Sequence, residues 1–272
     1  MKAKTLARHD LAGIIEIGLL LLESGLVTET AGNISVRGPD ENSLFITPSR
    51  RNYRFLTERD LVRVHMGSGQ AEGRWNPSSE WQLHVAAYRA RPDVNAVIHH
   101  HAVWASAVAV ARKTIPILLD EAADIGPIPT APYAPSASEE LAGVTSKLLA
   151  CGSNAVLLAN HGAVAVGRDL HEAFRRAVDV ERLAKIYLGA TLLGGAHALD
   201  DAAVARSREF FSTYRVTSPE KRGPQVFPSR VVGHVGLLEV LNYGFQAGVT
   251  FASLLHALIL EKLRAVGATA RS

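Results

Sequence analysis

Histidines carry the first chemistry legible in this 272-residue chain. The run Ala96-Val97-Ile98-His99-His100-His101 reads as a buried strand that ends in three imidazoles. Side chains alternate faces along a strand, so His99 and His101 point one way and His100 the other. Two imidazoles a strand step apart can reach one divalent ion, with zinc-type sites placing nitrogen about 2.0–2.1 Å from the metal. A run of surface histidines is the competing reading of the same residues. Further on, Asn160-His161-Gly162 interrupts two apolar runs, as a bulge or hairpin aiming a polar side chain would. Taken by itself, His161 reads more readily as a satisfied core histidine.

A second set of residues suits anions. Pro77-Ser78-Ser79-Glu80 precedes a helical period, which predicts a helix N-terminus at Ser78 or Ser79, where free N–H groups favour negative charge. Glu80 falls in the predicted first turn, where a plain surface acid is also at home. In Thr30-Ala31-Gly32-Asn33, Gly32 would let the backbone approach a ligand and Thr30 and Asn33 offer short hydrogen-bonding groups. An ordinary β-turn explains that stretch equally well. Arg50, Arg51 and Arg54 form either a solvated face or the flank of an anion site.

The elements that position these groups alternate along the chain. An amphipathic helix is predicted from near Asp10 to Gly25; Glu16 interrupts its apolar run and no small-residue cleavage site follows, which argues against a signal peptide. Strands are predicted at Leu44–Thr47 and Leu61–Met66, a helix ending at Pro92, the histidine strand, and a mostly buried helix over about Ala102–Arg112. Ile115–Leu119 reads as a strand, followed by the acidic cluster Asp120-Glu121-Ala122-Ala123-Asp124 and an extended Ile128–Tyr133. Ser138 caps a helix to Leu149, Asn154–Val166 is strand-like around His161, and long helices cover Leu170–Leu193 and Asp200–Tyr214. Pro219, Gly223, Pro224 and Pro228 then mark a linker, so residues 1–216 read as the catalytic domain and 217–272 as a partly helical extension.

Composition narrows the classes. An apolar content of 47% supports a sizeable core and a charged content of 20% argues against disorder. A net charge of only +3, without basic blocks, gives no nucleic-acid surface. No segment is long and apolar enough to cross a bilayer. Cys151 stands alone, which excludes an intramolecular disulfide and a thiolate metal cage and fits a cytoplasmic setting.

Together, Gly32-Asn33, Pro77-Ser78-Ser79-Glu80, His99-x-His101 and Asn160-His161-Gly162 resemble the class II aldolase/adducin family, most closely its L-fuculose-1-phosphate aldolase branch. The resemblance is collinear from about Leu11 to Tyr214 and extends to Arg91-Pro92-Asp93-Val94 and Ala131-Pro132-Tyr133-Ala134. It implies an α/β fold, a three-layer α/β/α sandwich around a mostly antiparallel sheet, assembled as a homotetramer with active sites between subunits. By position, His99, His101 and His161 match the zinc-ligand histidines, and Glu80 the carboxylate that ligates the free metal and acts as acid/base. Thr30, Asn33, Ser49, Ser78 and Ser79 match the phosphate-binding positions, and Tyr214 the proton donor lent by a neighbouring subunit. His84 and His100 are left as structural.

The departures bear on specificity. Arg50 replaces a family glycine in the phosphate loop, Asp120 and Ser136 replace an aromatic pair around the aldehyde, and Ala137 replaces the glycine after it. Asp124 aligns with a catalytic aspartate of the related ribulose-phosphate epimerases. The expectation is therefore a metal-dependent lyase (Zn²⁺, or Mn²⁺, Co²⁺ or Fe²⁺) cleaving a ketose 1-phosphate to dihydroxyacetone phosphate and a short, hydroxylated aldehyde. A decarboxylase or 4-epimerase using the same metal-assisted carbanion chemistry is the alternative, kept open by Asp120, Glu121 and Asp124. A non-enzymatic adducin-type scaffold would be expected to lack metal ligands, and this chain keeps all four.

Overall fold

A computed structural model describes residues 8–40 and 42–217. Most of the expected linker and extension, 217–272, lies outside the described residues. Eight strands form one sheet: β1 (Asn33–Arg37), β2 (Ser43–Ile46), β3 (Val62–His65), β4 (Ala71–Glu72), β5 (Ala96–His100), β6 (Thr130–Ala131), β7 (Ala155–Leu158) and β8 (Gly162–Gly167). Their order is β4-β3-β2-β1-β5-β8-β7-β6, antiparallel throughout except for the parallel β6–β7 pair. The histidine strand β5 therefore lies in the sheet interior, between β1 and β8.

Both faces of the sheet are covered, and strand alternation decides which residue meets which layer. Ile34, Val36, Ile98 and Ala165 pack against α1 (Arg8–Glu23), α3 (Val103–Val110) and α5 (Leu170–Leu192). Val97, Val156, Val164 and Val166 pack on the opposite face, against α2 (Trp81–Ala90) and α4 (Glu139–Ala150). This is the expected α/β/α sandwich. α6 (Asp201–Thr217) carries Tyr214, whose side chain lies outside the described residues.

Three local expectations change. Ile115–Leu119 forms only a single bridge, Ile115 to Ile128, because Pro116 and Pro129 each lack a backbone donor beside it. α3 is only partly buried: Val103, Trp104 and Val110 are exposed on its outer side. α2 starts at Trp81, so Glu80 is its N-cap and not a first-turn residue, while Ser78 Oγ accepts from the Glu80 backbone N–H at 3.3 Å. Among the described residues no helix is long and apolar enough to cross a membrane.

Candidate metal centre

The register of three strands brings the histidines together. Asn33 on β1 and Val164 on β8 flank His99 directly. β5 ends at His100, and His101 is the next residue, anchored by its N–H to the Leu26 carbonyl at 3.1 Å. The chain then enters α3, whose first N–H groups, at Trp104 and Ala105, are held by the Glu181 carboxylate of α5. On the other side, the β7–β8 hairpin closes through the His161 N–H to the Leu158 carbonyl at 3.0 Å. Asn160 occupies that turn at φ +56°, a left-handed conformation asparagine tolerates well.

Two glycines let neighbouring backbone close on the histidine strand. A Cβ on Gly32, at φ +71°, would fall 2.5 Å from the His99 carbonyl oxygen. One on Gly162 would overlap the His100 carbonyl and come within 2.9 Å of the His101 ring. Gly32 thus admits a close approach of the protein's own backbone, and it also borders the cavity beside the histidines. In Asn160-His161-Gly162, asparagine makes the turn, histidine faces the site and glycine admits the neighbouring strand.

The three imidazoles surround one point. Their ring centroids are 4.7, 4.8 and 4.9 Å apart, each pair edge to face. His99 Nε2 lies 2.8 Å from His101 Nε2, and one nitrogen from each of the three rings lies within 4.8 Å of the others. His99 Nδ1 donates to the Ala163 carbonyl at 2.9 Å, which turns its Nε2 toward the cluster. Burial, then the neighbouring imidazoles, pushes His101 down to about 3 and His161 to about 4, so both are neutral at pH 7, the form that ligates metal.

Glu80 completes the group. Its Oε2 lies 3.1 Å from His99 Nε2 and accepts from Asn33 Nδ2 at 3.0 Å; its Oε1 lies 3.3 Å from His161 Nε2. Burial raises the carboxyl, but His99, His161 and Asn33 outweigh it and hold Glu80 below the usual carboxylate range. Oε1 is buried and makes no hydrogen bond among the described residues. A buried carboxylate oxygen without a donor, beside three converging imidazoles, fits a divalent ion: three imidazole nitrogens and one oxygen are a zinc-type donor set.

The cluster lies at one side of a cavity of about 240 Å³ lined by Thr30, Gly32, Asn33, Ser49, Arg50, Ser78, Ser79, Glu80, His101, Ser136 and His161, among others. The Pro48–Pro77 bridge holds its two rim loops together. Arg50 at φ +56° and Ala137 at φ +61° keep the left-handed backbone expected of the glycines they replace, at roughly 1–2 kcal/mol each. Ser136 Oγ reaches 3.5 Å from the His161 ring.

Other expected site residues lie elsewhere. Asp120 sits in a 3₁₀ turn and accepts from Ser207 Oγ on α6 at 2.8 Å; Asp124 pairs with Arg175 on α5 at 2.7 Å. Neither lines the cavity of its own chain. Asn33, expected at the phosphate, does line the cavity, and its amide hydrogen-bonds Glu80 and His84. His84, expected to be structural, is fully buried and hydrogen-bonded to Ser35 and Asn33. Its four-residue spacing from Glu80 on a helix was the available signal.

A mostly antiparallel α/β/α sandwich with a three-histidine, one-carboxylate cluster opening on a hydroxyl-lined cavity defines the class. A profile of the "Class II Aldolase and Adducin N-terminal domain" matches residues 12–188, and the chain belongs to that family. It is 39% identical over 217 residues to the L-fuculose phosphate aldolase of Escherichia coli (strain K12), covering 79% of this chain and 97% of that one. It is also 38% identical over 197 residues to a 5-methylthioribulose-1-phosphate/5-deoxyribulose-1-phosphate aldolase of Escherichia coli O45:K1 (strain S88 / ExPEC), covering 70% and 89%. A solved L-fuculose 1-phosphate aldolase superposes with a TM-score of 0.72 at 33% identity, over 78% of this chain and all of that one (100%). The chain is accordingly an aldehyde-lyase-type enzyme of a metal-dependent class.

Proposed function

We propose that the enzyme cleaves a ketose 1-phosphate, by a retro-aldol reaction, into dihydroxyacetone phosphate and a short aldehyde. The observation that carries this reading is the meeting of His99, His101, His161 and Glu80 beside a rim of Thr30, Ser49, Ser78 and Ser79. Ser78 and Ser79 directly precede the start of α2, where a phosphate is favoured, Thr30 and Ser49 share the rim, and Arg50 adds a positive charge. A divalent ion bound by the histidines and Glu80 would supply Lewis-acid stabilisation, several kcal/mol, for the negative charge left on the three-carbon fragment. Zinc suits this donor set, and Mn²⁺, Co²⁺ or Fe²⁺ are its alternatives. Glu80 takes and returns the proton at Oε1, the oxygen free of hydrogen bonds among the described residues.

The aldehyde half is completed by a second chain. Asp120 and Asp124 lie outside their own cavity, so a homotetramer with sites between subunits is the assembly in which they reach substrate. Tyr214 is then the neighbour's donor to the departing alkoxide. With Asp120 and Ser136 in place of an aromatic wall, the pocket favours a hydroxylated aldehyde. We place the enzyme in the cytoplasm and treat 217–272 as a separate extension.

The test is carbon–carbon bond formation by metal-loaded enzyme from dihydroxyacetone phosphate and a panel of glycolaldehyde, glyceraldehyde and lactaldehyde. Expected are a ketose 1-phosphate product, inhibition by inorganic phosphate, and failure of unphosphorylated dihydroxyacetone as donor. Turnover of an unphosphorylated hydroxy acid, indifferent to phosphate and without aldol product, would replace this reading by the decarboxylase or epimerase one.

A further inference from the structure

Behind Glu80 the polar interior continues for two turns of α2. Glu80, His84 and Tyr88 recur every fourth residue on the helix, and Asn33, Ser35 and Arg37 every second residue on β1. Four helical residues rise about 6 Å and two strand residues about 6.6 Å, so the rows stay in step. They meet rung by rung. Asn33 Nδ2 donates to Glu80 Oε2 at 3.0 Å, and His84 Nε2 bonds Asn33 Oδ1. Ser35 Oγ lies 2.6 Å from His84 Nδ1 and 2.8 Å from Tyr88 OH. The Arg37 guanidinium covers the Tyr88 ring at 4.7 Å and donates to the Tyr88 carbonyl at 3.0 Å.

The direction of every proton in this row is fixed from its end. An ionised Glu80 only accepts, so Asn33 must present its NH₂ there and its oxygen to His84. His84 then donates from Nε2, which leaves Nδ1 as an acceptor for the Ser35 hydroxyl. Ser35, having used its proton, accepts from Tyr88. Ser35 and His84 are fully buried at 0% exposure and Tyr88 is 1% exposed, so water cannot substitute for a missing member.

We propose that Ser35, His84 and Tyr88 are positioning residues that act through Asn33 to hold Glu80 Oε2 as a fixed acceptor, leaving Oε1 as the oxygen that faces the metal and moves the proton. This rests on the role given to Glu80 in the proposed reaction. Were Ser35 unable to donate, His84 could change tautomer, Asn33 could turn over, and its carbonyl would then face the carboxylate. The carboxylate would lose its fixed orientation although no ligand had changed.

The experiment compares Ser35→Ala, Ser35→Thr and Tyr88→Phe with the wild-type full chain, in kinetics and in Co²⁺ affinity of metal-depleted protein, read from the cobalt absorption spectrum. Ser35→Ala is expected to lower kcat about 10–100-fold at little-changed KM and to weaken Co²⁺ binding about tenfold, the usual range for groups that orient metal ligands. Ser35→Thr, which keeps the hydroxyl, should restore both, and Tyr88→Phe should fall between. Wild-type kcat and Co²⁺ affinity in Ser35→Ala would overturn the proposal, as would equal damage from Ala and Thr. Should Ser35→Ala fail to fold, Tyr88→Phe carries the same decision, because it deletes one hydroxyl from an unchanged shape. Should wild type cleave no ketose phosphate, the Co²⁺ comparison still tests the row, and the failed reading is then the reaction alone.

Discussion

The surroundings of the histidines and the stretch from 115 to 137 approach the same chemistry with different building material. Around the histidines, position follows from regular backbone: β1, β5 and β8 in register, a tight β7–β8 turn, and the cap of α2. Between 115 and 137 there are one isolated bridge, a 3₁₀ turn and a two-residue strand, with acids held by Ser207 and Arg175 from helices later in the chain. The first region can set a reactive geometry to fractions of an ångström within one chain. The second holds its acids by contacts with later helices, outside the cavity of their own chain. Under the proposed reaction, reaction type would rest with the first region and aldehyde choice with the second.

The largest effect should come from the histidines. His161→Ala or His99→Ala is expected to lose bound metal and reduce turnover to background, measured by elemental analysis and the aldol assay. Stoichiometric metal in either variant would remove that histidine from the ligand set. Next is Glu80→Gln, which keeps an acceptor for Asn33 but cannot carry a proton; turnover should fall about 10²–10⁴-fold. Near-normal turnover would reduce Glu80 to a helix cap.

Acid should then expose the same region. Burial pushes His84 down to about 3 from an ordinary 6.5. Below pH 6.5 the unfolded chain therefore binds a proton that the folded chain refuses, and stability must fall as pH drops from about 6.5 toward 3. His101 and His161, depressed for related reasons, act with the same sign. Thermal melts of metal-depleted protein should show a lower Tm at pH 5 than at pH 7. A flat profile would mean that these imidazoles are not held neutral in the folded chain.

The smallest effect belongs to the second region. Asp120→Tyr should leave metal content unchanged and shift the ratio of specificity constants toward fuculose 1-phosphate over ribulose 1-phosphate. Burying one methyl is worth about 0.8 kcal/mol, so the shift is about fourfold. A tenfold loss of total activity instead would show that the two regions are not separable.

This contrast also explains what could be read from the sequence. The histidine strand and the Ser138 cap followed from periodicity and capping, which act locally, while the sandwich came from the family resemblance. The convergence of His161 with His99 did not, because it depends on β5 pairing with β8 across more than sixty intervening residues; the family resemblance supplied it. Gly32 was open between a ligand approach and an ordinary turn because sequence gives the need for close approach without saying to what. His84 was read as structural, and its hydrogen bonds to Asn33 and Ser35 were not legible because those partners lie on another element. Ile115–Leu119 misled because its apolar pattern is strand-like while its neighbours at Pro116 and Pro129 withhold donors.

The central claim is that one divalent ion, held by His99, His101, His161 and Glu80, makes this chain a ketose-1-phosphate aldolase. The most direct measurement is metal content per chain together with aldol formation from dihydroxyacetone phosphate and glycolaldehyde, before chelation, after it, and after return of Zn²⁺. The account predicts about one divalent ion per chain, activity lost with it, and activity regained in proportion to the metal restored. Undiminished carbon–carbon bond formation by fully stripped protein would contradict it.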